Sequence, residues 1–414
     1  MPSGRRAVGP LLLMLTALAA CAKDDGVSPT PSSTDGGRND AGASASEDAT
    51  APVPSVPFTL TRDPDPGCVA TTAASPRELA TAPGAALALT DLQAVGPRRL
   101  ARDLAGRGFV LFAADGSAPS AAPISVGTDS RAAASASGIV AAGLSASSSV
   151  LVQLFDLAGA SLGAAQDLGP ARLGRPIGVG RSGDAAIVTW AGADDSVRAR
   201  LVGPTGTLGK ELSLESGAPF GDLSFAIAPS SARDGSDFLV LWSLFRVALG
   251  AHRVYAALVN AKGVVGLPRV VFGSDVPVRL VSAVSGADGA TLLANLDGEP
   301  MLVPLDVLGR VTGTAHLLLG ARDVTTGGGQ GLARNGDEIA VVVALNRGGS
   351  SAFRRLDGAG QPKDGWICLG TPRPGDLQLG GITNEGSGYA VVTAGPEGKN
   401  LLLRVDATGR EPLP

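Results

Sequence analysis

Short apolar runs recur along most of this 414-residue chain, each bounded by polar turn formers and glycine. The clearest are Ala186-Ile187-Val188-Thr189-Trp190, Phe238-Leu239-Val240-Leu241-Trp242, Ile339-Ala340-Val341-Val342-Val343 and Tyr389-Ala390-Val391-Val392. They are short and rich in β-branched and aromatic residues, which predicts buried strands. A glycine heads each of them: Gly183, Gly235, Gly336 and Gly386. No long stretch carries the 3.6-residue apolar period of a surface helix.

A second pattern is coupled to the first. An apolar strand end runs into a polar turn and then glycine, at Gly116, Gly159, Gly206, Gly263, Gly309, Gly360 and Gly409. Three residues before the glycine there is often Asp or Asn, as at Asp156, Asn260, Asp306, Asp357 and Asp406. Such a side chain accepts hydrogen bonds from the next backbone amides and starts a type I turn. The glycine then takes the left-handed conformation that closes the hairpin. Successive glycines lie 43, 47, 57, 46, 51 and 49 residues apart, a period that suits four-stranded propeller blades. The predicted fold is all-β, a seven-bladed β-propeller over residues 58–414.

These units resemble those of bacterial secreted β-propellers with the pattern Gly…Phe-Leu-Val-x-Trp…Leu-Val-x-x-x-Gly, most clearly at 170–217 and 218–274. The turn is also similar to the Asp-x-x-Gly of quinoprotein-type propellers. The docking tryptophan of that motif is missing from most units, and Trp366 follows Gly360 at the wrong offset. No cofactor is therefore expected.

The first 57 residues read differently. Arg5 and Arg6 precede the apolar run Leu11-Leu12-Leu13-Met14-Leu15, and small residues lead to Cys21 in Leu18-Ala19-Ala20-Cys21. The run is too short to span a bilayer, which takes about 20 residues. The order resembles a bacterial lipoprotein signal, with residues 1–20 as signal peptide. The resemblance implies lipid attachment at Cys21, palmitate among the chains, and a stable tether to the cell envelope, since two or more chains anchor firmly. Ala22 rather than aspartate follows, which in the enterobacterial pattern implies the outer membrane. Residues 21–57 are Ser, Thr, Gly, Ala, Asp and Pro with almost no large apolar side chain. That composition cannot offset its ordering entropy, so it reads as a disordered linker, reaching on the order of 30–40 Å.

Ring closure needs an extra strand, because only five residues follow Gly409. Phe58-Thr59-Leu60-Thr61 alternates apolar and polar residues and is expected to complete blade seven, leaving no open edge. Cys68 and Cys368 are the two cysteines besides Cys21. In an oxidising compartment they are expected to bridge, closing a loop whose gain would be at most about 5 kcal/mol.

Composition narrows the function. Lys and Arg total 34 against 38 acids, for a net charge of −4, and no basic stripe points to nucleic acid. There are two histidines, His252 and His316, and no His-Glu-x-x-His, Cys-x-x-Cys or Gly-x-Ser-x-Gly. Common zinc and serine-hydrolase chemistry is thus disfavoured and no metal site is expected. Thr325-Thr326-Gly327-Gly328-Gly329-Gln330-Gly331 lacks the Gly-Lys-Ser/Thr ending of a phosphate loop and reads as a blade connection. Aromatics are 4% of the chain, few for stacked carbohydrate platforms.

The longest unit carries its excess between Trp242 and Val254, with Phe245, Arg246, His252 and Arg253. An inserted loop on a rigid scaffold is the natural contact surface. The expected function is a monomeric, membrane-anchored, non-enzymatic binding module for an envelope protein or glycan. A periplasmic envelope-assembly factor is one alternative. The other is a propeller enzyme of lyase or glycosidase type, which would show two or more acids at equivalent inner-strand positions facing one channel mouth. The inner strands read as mostly apolar or small, which disfavours that alternative.

Overall fold

A computed structural model describes residues 60–62, 69–70, 77–78, 89–103, 108–117, 123–216, 219–230, 237–318, 330–344, 351–369, 381–394 and 400–405. All of them belong to one compact unit, Asp48–Pro414. Every regular element among the described residues is a strand. The strands form seven sheets in which, apart from Leu60–Arg62, Val69–Ala70 and Arg77–Glu78 at three outer edges, sequence order is spatial order from the innermost strand outward. The innermost strands of blades one to four are Leu89–Val95, Thr128–Ser135, Gly178–Ser182 and Phe220–Ser230. Those of blades five to seven are Val278–Gly286, Gln330–Asn335 and Gly381–Glu385. Each packs against the innermost strand of the next blade, and that of blade seven packs against blade one. Seven four-stranded antiparallel blades thus form a β-propeller. In blade one the outermost position is held by the single bridge between Phe109 and Ile124.

This architecture explains why the apolar runs are continuous rather than alternating. A blade is covered on both faces by its neighbours, so both sides of each strand are buried. In blade four, Leu239 and Leu241 enter the core shared with Leu292 of blade five. Their neighbours Phe238, Val240 and Trp242 enter the core shared with Ile187 of blade three. Seven such cores separate the seven blades. Close to the axis there is less room. A Cβ added at Gly178 would meet the Cβ of Phe225 at 2.8 Å, so blade three stays glycine-rich where it meets blade four.

The tryptophans are packing residues with a tie between blades. Trp190 and Trp242 are fully buried. The indole of Trp190 donates to the Pro170 carbonyl of blade two at 3.2 Å. That of Trp242 donates to Glu215 of blade three at 2.7 Å.

The predicted turns form as written. At Asp156, Asn260, Asp306 and Asp357 the side-chain Oδ1 accepts from the amides two and four residues on, all within 3.0 Å. The glycines that close them have φ of +85°, +76°, +79° and +83°. The other hairpin register has Gly96, Gly183, Gly336 and Gly386 at φ between +54° and +59°. Nothing lies within 4 Å of a Cβ at Gly183, Gly336 or Gly386. Backbone conformation, not space, demands glycine there. Gly235 and Gly409 lie outside the described residues.

Ring closure differs from the sequence expectation. Leu60–Arg62, which overlaps the segment assigned to blade seven, instead lies parallel to Ala315–Leu317 at the outer edge of blade five. Val69–Ala70 lies parallel to Ile367–Leu369 at the edge of blade six. Arg77–Glu78 is the strand that completes blade seven, antiparallel to Asn400–Val405. The chain therefore runs along three outer edges before entering blade one. A period of two identifies a strand but does not say which open edge it meets.

Cys68 lies outside the described residues. Its segment does approach Cys368: Ala70 is the register partner of Cys368, and Val69 that of Ile367. Two residues of strand span more than about 6 Å, so a bridge requires the chain at Cys68 to leave the strand direction.

Candidate binding site at the channel mouth

Antiparallel order sends the chain back and forth through the ring, so its connections divide between two faces. The turns from first to second strand and from third to fourth all lie on one face. These are the regular glycine turns. The connections from second to third strand, and from one blade to the next, lie on the other face. There the channel opens into a cavity of about 1110 Å³, large enough for a ligand of several rings.

The inner strands begin at this mouth, and three begin with a bulge. In blades one, two and four, two residues oppose a single residue of the second strand: Asp91-Leu92, Asp129-Ser130 and Gly221-Asp222. Asp91 and Asp129 have φ of +51° and +52°, a region that Asp tolerates better than most residues. A bulge re-aims side chains. Asp91, Asp129 and Asp222 are exposed and all line the cavity. Blades one and two thus present acids, Asp91 and Asp129, at equivalent positions at one mouth, with Asp222 one residue further along its bulge, contrary to the apolar appearance of these strands in sequence. The sequence signal was faint: Thr90-Asp91 and Thr128-Asp129 head their blades identically. The bulge that makes the match meaningful is a feature of pairing.

Arginines sit between these acids. Arg131 follows the blade-two bulge, and its guanidinium lies 3.5 Å from Asp91. Burial pushes its pKa below the ordinary arginine value; Asp91 and Asp129 oppose this, while Arg102 and Arg279 add repulsion. The fields of three arginines, from blades one, two and five, therefore overlap across the mouth. Neither Arg102 nor Arg279 has a hydrogen-bond or ion-pair partner among the described residues. Arg175, also at the rim, is committed to blade four: it donates to the Phe220 carbonyl at 3.3 Å and lies 5.6 Å over the Phe220 ring.

Part of the lining is polar and incompletely bonded among the described residues. His252, Asn295 and Gln330 are 5%, 7% and 5% exposed. His252 Nδ1, Asn295 Oδ1 and both terminal atoms of Gln330 are buried without a protein hydrogen-bond partner, as is Ser282 Oγ. All four residues line the cavity. Buried polar groups are normally bonded, so these atoms are free to bond water or a ligand in the cavity. Arg102, Arg131, Arg279, Asn295 and Gln330 were all missed in sequence, because their spacing follows ring geometry rather than any linear motif.

The insertion in blade four is not a loop. Its residues extend two strands, Asp237–Arg246 and Ala251–Val259, into a long hairpin, with Arg246 paired to Ala251. Strand alternation splits the predicted contact residues between two faces. His252 and its cross-strand partner Phe245 lie on the side toward blade five, ring centroids 5.0 Å apart, and His252 reaches the cavity. Burial holds the His252 imidazole below its usual pKa, with Asp222 opposing. Arg246 faces the other way. It pairs with Glu215, donates to the Tyr255 hydroxyl at 3.2 Å and lies over the Tyr255 ring. Arg253 also has a partner. The hairpin supplies one residue to the cavity, His252, and Arg246 is held against Glu215 and Tyr255. The second histidine, His316, is within 2.8 Å of Gln361 and joins blades five and six.

Among the described residues no group of three or more His, Cys, Asp or Glu is close enough to hold a metal ion. The geometry offers charged and neutral hydrogen-bonding groups around a roomy channel mouth.

The class is settled by topology: the chain is a seven-bladed β-propeller. No family model matches it, and no curated protein matches it in sequence. Several solved structures align with it at low sequence identity. A puromycin hydrolase S511A mutant complexed with PGG aligns at TM-score 0.49 and 15% identity, over 85% of this chain and 56% of that one. Apo AztD from Citrobacter koseri aligns at 0.45 and 13%, over 79% and 85%. The BP39L lectin from Burkholderia pseudomallei aligns at 0.44 and 15%, over 67% and 79%. The chain spans about half the length of the hydrolases it matches.

Proposed function

We propose that this chain is a lipid-tethered binding module of the bacterial cell envelope, with the channel mouth as its binding site. The observation that carries the reading is the set of buried polar atoms without protein partners around the mouth. A propeller holds such a set rigidly, because the groups project from strands or strand ends of three successive blades, four to six. Preorganised groups bind without paying to be ordered first. The tether is read from Leu18-Ala19-Ala20-Cys21, and the stretch 21–57 would let the domain stand off the membrane and reorient. The Cys68–Cys368 bridge remains part of this proposal, as a clamp on the segment that edges blade six. The mass of the oxidised chain before and after alkylation tests it: a bridge leaves both thiols unlabelled, and labelling of both removes it.

Native mass spectrometry of the detergent-solubilised full chain, purified from its own envelope, tests the mouth. The reading expects a small molecule retained by the native chain and absent from Asn295→Ala and Gln330→Ala. A molecule retained equally by all three would move the site elsewhere.

A second reading is favoured by one observation. Asp91 and Asp129 meet the requirement for two acids at equivalent inner-strand positions. Carboxylates around one sugar ring do acid–base work in glycoside hydrolysis. Turnover of a bound glycan that disappears in Asp129→Asn would convert the binding module into an enzyme.

A further inference from the structure

The chemistry of the mouth also selects among ligands, given that the mouth is the binding site. Arg102 and Arg131 are partly buried, whereas Arg279, Asp91, Asp129, Asp222 and Asp297 are exposed. Partly buried charges are screened by water and salt less than exposed ones, so Arg102 and Arg131 weigh most in the field of the mouth. Arg102 and Arg279 have no carboxylate against them, and a guanidinium fork matches a carboxylate in two parallel hydrogen bonds. Beside them, Asn295 and Gln330 offer amide groups, which pair with hydroxyls as donor or acceptor.

We infer that the mouth binds a sugar acid, its carboxylate among Arg102, Arg131 and Arg279 and its hydroxyls on Asn295, Gln330 and the rim aspartates. Three other observations fit this ligand better than its rivals. Among the described residues no tryptophan or tyrosine lines the cavity, and of its two phenylalanines Phe109 is buried, which leaves Phe225 as the one aromatic ring with exposed surface for a neutral sugar to stack on. The rim aspartates repel a densely charged polyanion such as a polyphosphate or nucleic acid. The cavity volume suits a short chain of rings rather than a single ion.

Titration calorimetry on the detergent-solubilised full chain tests the inference. The probes are glucuronate and galacturonate oligomers, with glucose and galactose oligomers of equal length. An acidic oligomer is expected to bind, with its neutral counterpart at least about tenfold weaker and with affinity falling as salt is added. Arg279→Gln should weaken the acidic oligomer about tenfold. That side chain is exposed and has no hydrogen-bond or ion-pair partner among the described residues, so its loss is expected to leave the fold intact. Equal binding of neutral and acidic oligomers, indifference to Arg279→Gln, or failure of every acidic oligomer would each overturn the inference. A different molecule retained through Asn295 and Gln330 in the mass experiment would leave the binding site standing and discard only the sugar acid.

Discussion

The two faces of the ring differ in how they use sequence. On the turn face each blade repeats the same solution. Asp156, Asn260, Asp306 and Asp357 make the same two hydrogen bonds, and their glycines agree in φ to within ten degrees. On the mouth face the blades diverge: blades one and two share a bulged aspartate, but blade two adds Arg131, blade four brings Asp222 and His252, and blade five Arg279 and Asn295. The turn face satisfies its polar groups locally, within a few residues of chain. The mouth face leaves them open across the ring. Local satisfaction favours stability, and open groups favour binding at a cost in stability.

That contrast can be broken by substitution, and the largest effect belongs to neither face. Trp242→Ala removes a fully buried indole, its stacking on Tyr255 at 5.5 Å and its bond to Glu215. It should cost about 3–5 kcal/mol, read as a lower midpoint in denaturant unfolding. On the turn face, Asp306→Ala loses both capping bonds and should cost about 1–2 kcal/mol. Gly183→Ala forces a side chain into φ +55° and should cost about 1–2 kcal/mol. Neither should alter binding at the mouth once the chain is folded. On the mouth face the sign reverses. Gln330→Leu removes two buried atoms without protein partners and should stabilise by about 1 kcal/mol while weakening ligand binding. A destabilised Gln330→Leu would mean that this amide is satisfied in the free protein.

A smaller effect concerns pH. Burial lowers the His252 pKa from its ordinary 6.5, with Asp222 opposing. Between the lowered value and 6.5 the unfolded chain binds more protons than the folded one. The contribution is therefore full above pH 6.5 and is lost progressively as pH falls through that window. Replacing His252 with Gln should flatten the stability curve of the native chain just below pH 6.5; an unchanged slope would assign it to other groups.

What was legible in sequence follows the same division. Turn chemistry is local, so seven glycines and their aspartates were enough to read blade count and strand order. Continuous burial of runs such as Phe238 to Trp242 was legible because two-sided covering leaves a plain apolar signal. The mouth was not legible. Asp91, Asp129 and Asp222 come together through strand bulges, and Arg102, Arg131 and Arg279 through ring closure, neither of which has a linear spacing. The blade-four insertion was visible as extra length, but its pairing as a hairpin, which turned Arg246 toward Glu215 and His252 toward the channel, was not. The edge taken by Leu60–Arg62 was missed for a similar reason: alternation names a strand and not its partner.

The measurement that most directly tests the division of labour compares one variant from each face. The native chain, Gly183→Ala and Gln330→Leu would be titrated with the same acidic oligosaccharide, beside their unfolding midpoints. The account predicts that Gly183→Ala is less stable and binds as the native chain does. Gln330→Leu should be more stable and bind at least about tenfold more weakly. Equal binding by all three, or a loss of binding that tracks loss of stability, would contradict the assignment of binding to the mouth.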